Sequence, residues 1–167
     1  MVRALFFAFW MFAIVAPGDQ LEQLARSGNI QENAPVKASV SVEIDAPPEH
    51  VWHLLTAIDD WPEWQTDIGS AKLDGPLQSG TSFTWSAGMS THSRLALVKP
   101  PEEIAWTGTA FGANAVHVWK LHRLPGNRTL VKTDESMDGF LTWFYSSKKL
   151  EESDRRWLSN LKAASEK

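Results

Sequence analysis

Cysteine is absent from all 167 residues. That excludes disulfide staples, thiolate nucleophiles and cysteine-ligated zinc or iron–sulfur centres, while the redox compartment stays open. Basic clustering is missing too. Sixteen Lys and Arg against twenty Asp and Glu give a formal charge of -4 and a pI near 5.7, and no stretch gathers the positive charge that a nucleic-acid footprint requires. Neither a G-x-S-x-G elbow nor a phosphate-cradling glycine loop occurs, so the sequence offers no nucleophile motif or nucleotide signature. The apolar run Ala4–Ala16 has thirteen residues, short of the roughly 20 that a bilayer-spanning helix needs.

What is present suits one domain. A hydrophobic content of 43% supports a real core, and the length leaves little room for a second unit. Tryptophan is abundant: eight of the nine lie beyond residue 50, pointing to an aromatic-walled interior. Arg3, the apolar run and Ala16-Pro17-Gly18 make residues 1–18 read as a signal peptide or a membrane anchor. The expected location is therefore exported, periplasmic or secreted, or membrane-anchored, with a cytoplasmic chain and a mis-set start as the alternative. Residues 19–36, with a short helical stretch at Leu21–Arg26 followed by Gly, Asn and Pro, read as a tether, and 37–167 as the folded domain.

Within the domain, Val40, Val42 and Ile44 alternate as a strand. Ala46–Trp64 then carries a helix, started by Pro48 and Glu49 and given one apolar face by Val51, Trp52, Leu54, Leu55 and Ile58, and ends in the corner Trp61-Pro62-Glu63-Trp64. Core packing is the plainer role for Trp61 and Trp64; the wall or mouth of a pocket is the sharper one. A weaker strand at Ile68–Leu73 precedes five alternating stretches, centred on Phe83 and Trp85; Ser93, Leu95 and Leu97; Ile104, Trp106 and Gly108; His117, Trp119 and Leu121; and Val131, Thr133, Glu135 and Met137. Short turn clusters separate them, so the strands form an antiparallel meander. From Thr142 to Lys167 a long helix is expected, with Trp143, Ser147, Leu150, Asp154, Trp157, Leu161 and Ala164 on one face. Asn127-Arg128-Thr129 matches a glycosylation sequon, which has meaning only in a eukaryotic secretory chain.

A-P-P-E-H-V-W-H-L-L, D-D-W-P-E-W, I-A-W-T-G, H-V-W-K-L and the long final helix, taken in this order, resemble the START-like helix-grip superfamily (SRPBCC), in its polyketide cyclase/dehydrase-like branch. The resemblance covers about Lys37 to Lys167. It implies an α+β helix-grip fold, a curved antiparallel sheet wrapped around the C-terminal helix, enclosing a cavity for lipids, polyketides or other apolar molecules.

Register arithmetic places the chemistry. A three-residue loop at Pro125–Asn127 pairs Trp119 with Thr133 and His117 with Glu135; a turn centred on Gly112 and Ala113 puts Trp106 opposite Trp119 and Gly108 opposite His117. The expected ligand-binding set is a polar layer of Ser93, Gly108, His117 and Glu135, an aromatic layer of Trp85, Trp106 and Trp119, and Trp64, Trp143 and Asp154 from the helices. A carboxylate beside buried His117 is expected to favour the imidazolium, giving either an acid–base pair or a hydrogen-bonded pair that fixes the sheet. A one-residue slip would turn Glu135 to the other face. His92 and His122 have the solvent-facing parity, and His50 and His53 lack the i, i+4 metal-binding spacing, so no metal or cofactor is assigned. The leading reading is a non-enzymatic carrier or sensor of a small apolar or amphipathic molecule. The alternative is a cyclase or dehydratase using His117 and Glu135 as base and acid, and a third is a chaperone-like domain with a protein partner.

Overall fold

The computed structural model of the chain describes residues 17–167. The elements run α1 (Pro17–Arg26), β1 (Val36–Ile44), α2 (Pro48–Thr56), a 3-10 turn (Ile58–Asp60), α3 (Trp61–Trp64), β2 (Ser70–Leu73), β3 (Ser82–Ser86), β4 (Ser90–Lys99), β5 (Glu103–Ala110), β6 (Ala113–Leu124), β7 (Arg128–Gly139), a second 3-10 turn (Phe140–Trp143) and α4 (Ser147–Ser165). One seven-stranded antiparallel sheet has the order β1-β7-β6-β5-β4-β3-β2, so β2 to β7 form the expected meander and β1 closes against β7. α4 lies across the inner face, giving the α+β helix-grip architecture, and no helix among the described residues is long and apolar enough to cross a membrane.

The final helix starts later than its periodicity suggests. Ser146 has extended backbone and its Oγ accepts from Lys149 N at 3.3 Å, an N-cap that sets the first turn of α4 at Ser147. Trp143 therefore belongs to the preceding 3-10 turn, not to the buried stripe. That stripe is Leu150, Asp154, Trp157, Leu158, Leu161 and Ser165.

The sheet's outer face is also covered. Ala25 on α1 is fully buried against Ala96, Ala105, Val116 and Val118, with Leu21, Ile30 and Leu97 around them. Lys120 Nζ donates to Gly28 O at 2.9 Å and Gln31 N donates to Ser136 Oγ at 3.0 Å. Residues 19–36, expected as a tether, are thus packed on the domain, because α1 has a short apolar face that the sheet's small outer residues accept. The targeting reading of 1–18 lies outside the described residues, except for Pro17 and Gly18, which open α1.

A bulge at Ala96 changes one expected parity. Leu95 pairs with Trp106 but Leu97 with Ala105, so the extra residue turns Leu97 outward and brings Val98 to the inner core.

The inner core is tryptophan. Trp61 is fully buried, donates Nε1 to Leu55 O at 2.9 Å, and sits edge-on to Phe83, Trp85 and Trp157 at ring-centroid separations of 5.7, 6.3 and 5.1 Å. Trp106 stacks on Trp119 at 6.4 Å, and Trp119 lies 6.0 Å from Trp157. Trp61→Ala removes the shared wedge and should cost about 3–5 kcal/mol, measured as a lowered urea midpoint; loss within about 1 kcal/mol would show that the cluster repacks around the gap.

Candidate functional site

The site is built from the β6–β7 hairpin. Gly126 and Asn127 take positive φ values of 79° and 61°, closing the three-residue loop so that Leu124 faces Arg128 and, further along, His117 faces Glu135. That pairing matches the sequence arithmetic. The β5–β6 pairing does not. Phe111 and Gly112, at φ 46° and 76°, make a two-residue turn with both residues left-handed, the geometry that matches strand twist. The register is thereby moved by two residues: Trp106 faces His117, Ile104 faces Trp119, and Gly108 faces Ala115 and Ser93. A two-residue shift keeps every side chain on its face, so the polar layer survives with changed neighbours.

α4 adds the third member. His117 Nε2 contacts Glu135 Oε2, and ligating atoms of His117, Glu135 and Asp154 all lie within 4.8 Å of one another. The three residues are 6%, 6% and 2% exposed. The Trp106 ring stands edge-on to the imidazole at 5.2 Å. His117 Nδ1 and Asp154 Oδ2 have no protein hydrogen-bond partner, nor do the neighbouring Trp119 Nε1 and Thr133 Oγ1.

Burial decides the charge state. Desolvation pushes His117 down to about 4, with the Asp154 charge opposing it. It pushes Glu135 up to about 8 and Asp154 up to about 8, the latter helped by repulsion from Glu135. The expected imidazolium is therefore not favoured: in a site this dry both partners neutralise, and a protonated carboxyl offers no counter-charge. Burial thus favours the neutral forms of all three groups, an imidazole beside two carboxylic acids. Tyr145 stands close enough for both carboxyls to affect it, and burial pushes its phenol up.

A pocket of about 260 Å³ opens beside this cluster. Trp85, Gly108, His117 and Glu135 of the expected set line it, together with Ala115, Met137, Tyr145, Leu150, Ser153 and Trp157, and with Met89 and Phe144 also in its lining. The others lie elsewhere. Trp106 and Trp119 are buried in the tryptophan cluster, Trp64 packs on Trp157 at 5.9 Å, and Ser93 sits behind Gly108, accepting from Trp85 Nε1 at 3.1 Å. Asp154 backs the cluster without lining the pocket, and Trp143 is 86% exposed. Ala115 and Met137 were accessible to reasoning, since each is two residues from a predicted site residue on the same face. Tyr145 was not, because its position depends on where α4 begins.

The spacing of His117, Glu135 and Asp154 is one that a cation can bridge. A metal-bound imidazole normally donates its second ring N–H to a neighbour, and His117 Nδ1 has no such partner. The cluster fits proton sharing, or the hydroxyl or carbonyl of a bound molecule, better than coordination.

A curved sheet gripping a helix, with a pocket between them, defines a START-like domain. The chain belongs to the polyketide cyclase/dehydrase and lipid transport family, which it matches over residues 35–166. No curated protein matches it significantly. Among solved structures it is similar to the hypothetical protein jhp0584 from Helicobacter pylori, at TM-score 0.73 and 20% identity over 97% of this chain and 99% of that one. It is also similar to a START superfamily protein from Mycobacterium smegmatis, at TM-score 0.65 and 16% identity over 78% and 97%. The Zhui aromatase/cyclase from Streptomyces sp. R1128 aligns at TM-score 0.65 and 15% identity over 78% and 93%. At such identities the likeness is one of fold.

The carboxyl shifts have a signed consequence. Glu135 and Asp154 titrate near 8 when folded, against ordinary values of 4.5 and 3.8, so over that interval the folded chain holds protons the unfolded chain has released, and stability falls as pH rises. His117, lowered from 6.5 to about 4, acts oppositely but only below 6.5. Between pH 6.5 and 8 the carboxyls alone set this contribution, about 1.4 kcal/mol per pH unit for each proton. Glu135→Gln should flatten the decline by at least one proton's worth, read from urea midpoints across that range; an unchanged slope would mean that Glu135 is ionised in the fold.

Proposed function

We propose that the domain binds a small apolar or amphipathic molecule in the pocket beside His117 and Glu135, acting as a carrier or sensor. The observation that carries this reading is the division of the pocket: apolar walls from Ala115, Met137, Leu150 and Trp157, and a buried polar end whose atoms lack protein partners. A hydroxyl or carbonyl placed there can donate to the imidazole or accept from a carboxylic acid. The volume, about 260 Å³, lies just below the range of about 300–1,000 Å³ for pockets that bury drug-sized ligands. The ligand is therefore small, or leaves a tail at the mouth. Family membership supports the same reading in general terms. Residues 1–18 motivate the further proposal that this binding occurs outside the cytoplasm or at a membrane.

A second reading has its own support. A neutral imidazole beside a protonated carboxyl is a base and an acid in contact, the pairing that general acid–base chemistry uses, and the solved structures of similar fold include the Zhui aromatase/cyclase and the aromatase/cyclase StfQ from the steffimycin pathway. Here His117 would be the base and Glu135 the acid of a cyclase or dehydratase.

One experiment separates them. Trp85 and Trp157 line the pocket, so quenching of intrinsic fluorescence reports occupancy by members of a lipid and polyketide panel. Ala115→Phe, which fills the pocket, should weaken binding by at least about tenfold, and on the carrier reading His117→Ala, which removes one polar partner, should weaken it by several-fold with no compound turned over by either protein. Turnover of a bound compound that disappears in His117→Ala while binding persists would instead establish the enzyme. No quenching by any compound would overturn both.

A further inference from the structure

The exposed apolar surface is concentrated at one end of the domain. Among the described residues the large hydrophobic side chains in solvent are Met89, Phe111, Phe140, Trp143 and Phe144, the last four 66–86% exposed. Met89 is on the β3–β4 turn and Phe111 on the β5–β6 turn, and Phe140 N donates to Gly112 O at 3.0 Å. In a meander, alternate turns share an end. The β4–β5 and β6–β7 turns at the other end carry Pro100-Pro101 and Pro125-Gly126-Asn127. Single exposed apolar residues need no explanation, but five at one end of the domain do, and two of them, Met89 and Phe144, line the pocket.

The direction of α1 is an independent observation. Its far end, at Gly28, is held beside Glu103 and Lys120, Ala25 packs against Ala105 and Val118, and Glu22 approaches Arg94, which pairs with Thr107. Tracing α1 backward therefore climbs β5 and β6 toward the Phe111–Gly112 turn. From Glu22 to Pro17 a helix rises about 7 Å more. The chain thus enters α1 near the aromatic end, and the residues that precede this point are the apolar run Ala4–Ala16. A third feature is electrostatic. Lys148 and Lys149 are exposed in the first turn of α4, which holds no acidic residue, although the helix dipole favours acids there.

We infer that this end of the domain is a membrane-docking face, on which Phe111, Phe140, Trp143 and Phe144 enter the interface of an anionic bilayer and the pocket mouth opens toward lipid. Aromatic side chains beside lysines are the composition that seats in the headgroup boundary. A protein partner would need a broader complementary surface than these short turns present. The face does not depend on what the pocket holds.

Because the chain has no cysteine, a single one can be labelled. Full-length Trp143→Cys and, at the opposite end, Asn127→Cys each carry an environment-sensitive fluorophore and are mixed with phosphatidylcholine–phosphatidylglycerol vesicles containing a nitroxide lipid. The label at 143 should shift to the blue and be quenched by the nitroxide, and the label at 127 should do neither. Phe140→Ser with Phe144→Ser should reduce vesicle partitioning of the 143-labelled chain by about tenfold. A label at 143 that stays in water on vesicle-bound protein would overturn the face and leave residues 1–16 as the sole contact. Equal quenching at both ends, or a blue shift that grows with protein concentration without vesicles, would overturn it in favour of non-specific adsorption or self-association.

Discussion

Trp61 is the constraint on which the interior depends. A four-residue helix cannot hold its own shape, yet α3 places this indole against Phe83, Trp85, Trp106 and Trp157 at once. Its Nε1 is satisfied by a carbonyl of α2, so α2, α3, the strands β3 and β5, and α4 meet at one ring. Aromatic rings fill volume efficiently. The inner face nearest the corner is accordingly filled by indoles, and the pocket beside His117 lies toward the Phe111 end. The corner shapes the pocket by occupying the space it could otherwise have used.

The second constraint is dryness. His117, Glu135 and Asp154 come from β6, β7 and α4, and nothing charged in the tryptophan cluster balances them. Three ionisable groups in such a place lower their cost by shedding charge, which is why burial moves the imidazole down and both carboxyls up. Hydrogen bonding is only partly arranged: His117 Nδ1 and Asp154 Oδ2 are buried without a hydrogen-bond partner. A cluster selected purely to fix the sheet would be expected to satisfy its members.

Much of this was legible in the sequence, for definable reasons. Period-two alternation marked the strands from Phe83 to Met137, and the Pro-Gly-Asn loop pinned His117 opposite Glu135, because loop length sets hairpin register. The β5–β6 turn escaped because Phe111 adopts positive φ, which a bulky side chain rarely does. The Ala96 bulge left no local signal and turned Leu97 outward. Trp143 was assigned to the buried stripe by its spacing, but helical spacing carries past a cap unless the cap is recognised, and Ser146 looks like any serine. The charge state differs from the expectation for another reason: pairing is visible in the register, whereas the dryness produced when α4 closes over β6 and β7 is not. The packing of residues 19–36 was missed because an apolar face of one or two residues is enough when the opposing surface is alanine.

Carrier and enzyme readings use the same atoms, so the distinction lies in how the pocket is graded. Its polar end is buried among His117 and Glu135; toward solvent it is lined by Met89 and the exposed Phe144. On the proposed reading, a molecule entering head first would exchange hydration for contact with His117 and Glu135, while its tail would stay against Met89 and Phe144. Catalysis would add a requirement, that the reacting carbon lie within hydrogen-bond reach of both His117 and Glu135. Their mutual contact makes that demanding, since a group inserted between them must first part the pair. Binding asks less, since the pair can stay together while a polar group meets whichever of its atoms border the pocket.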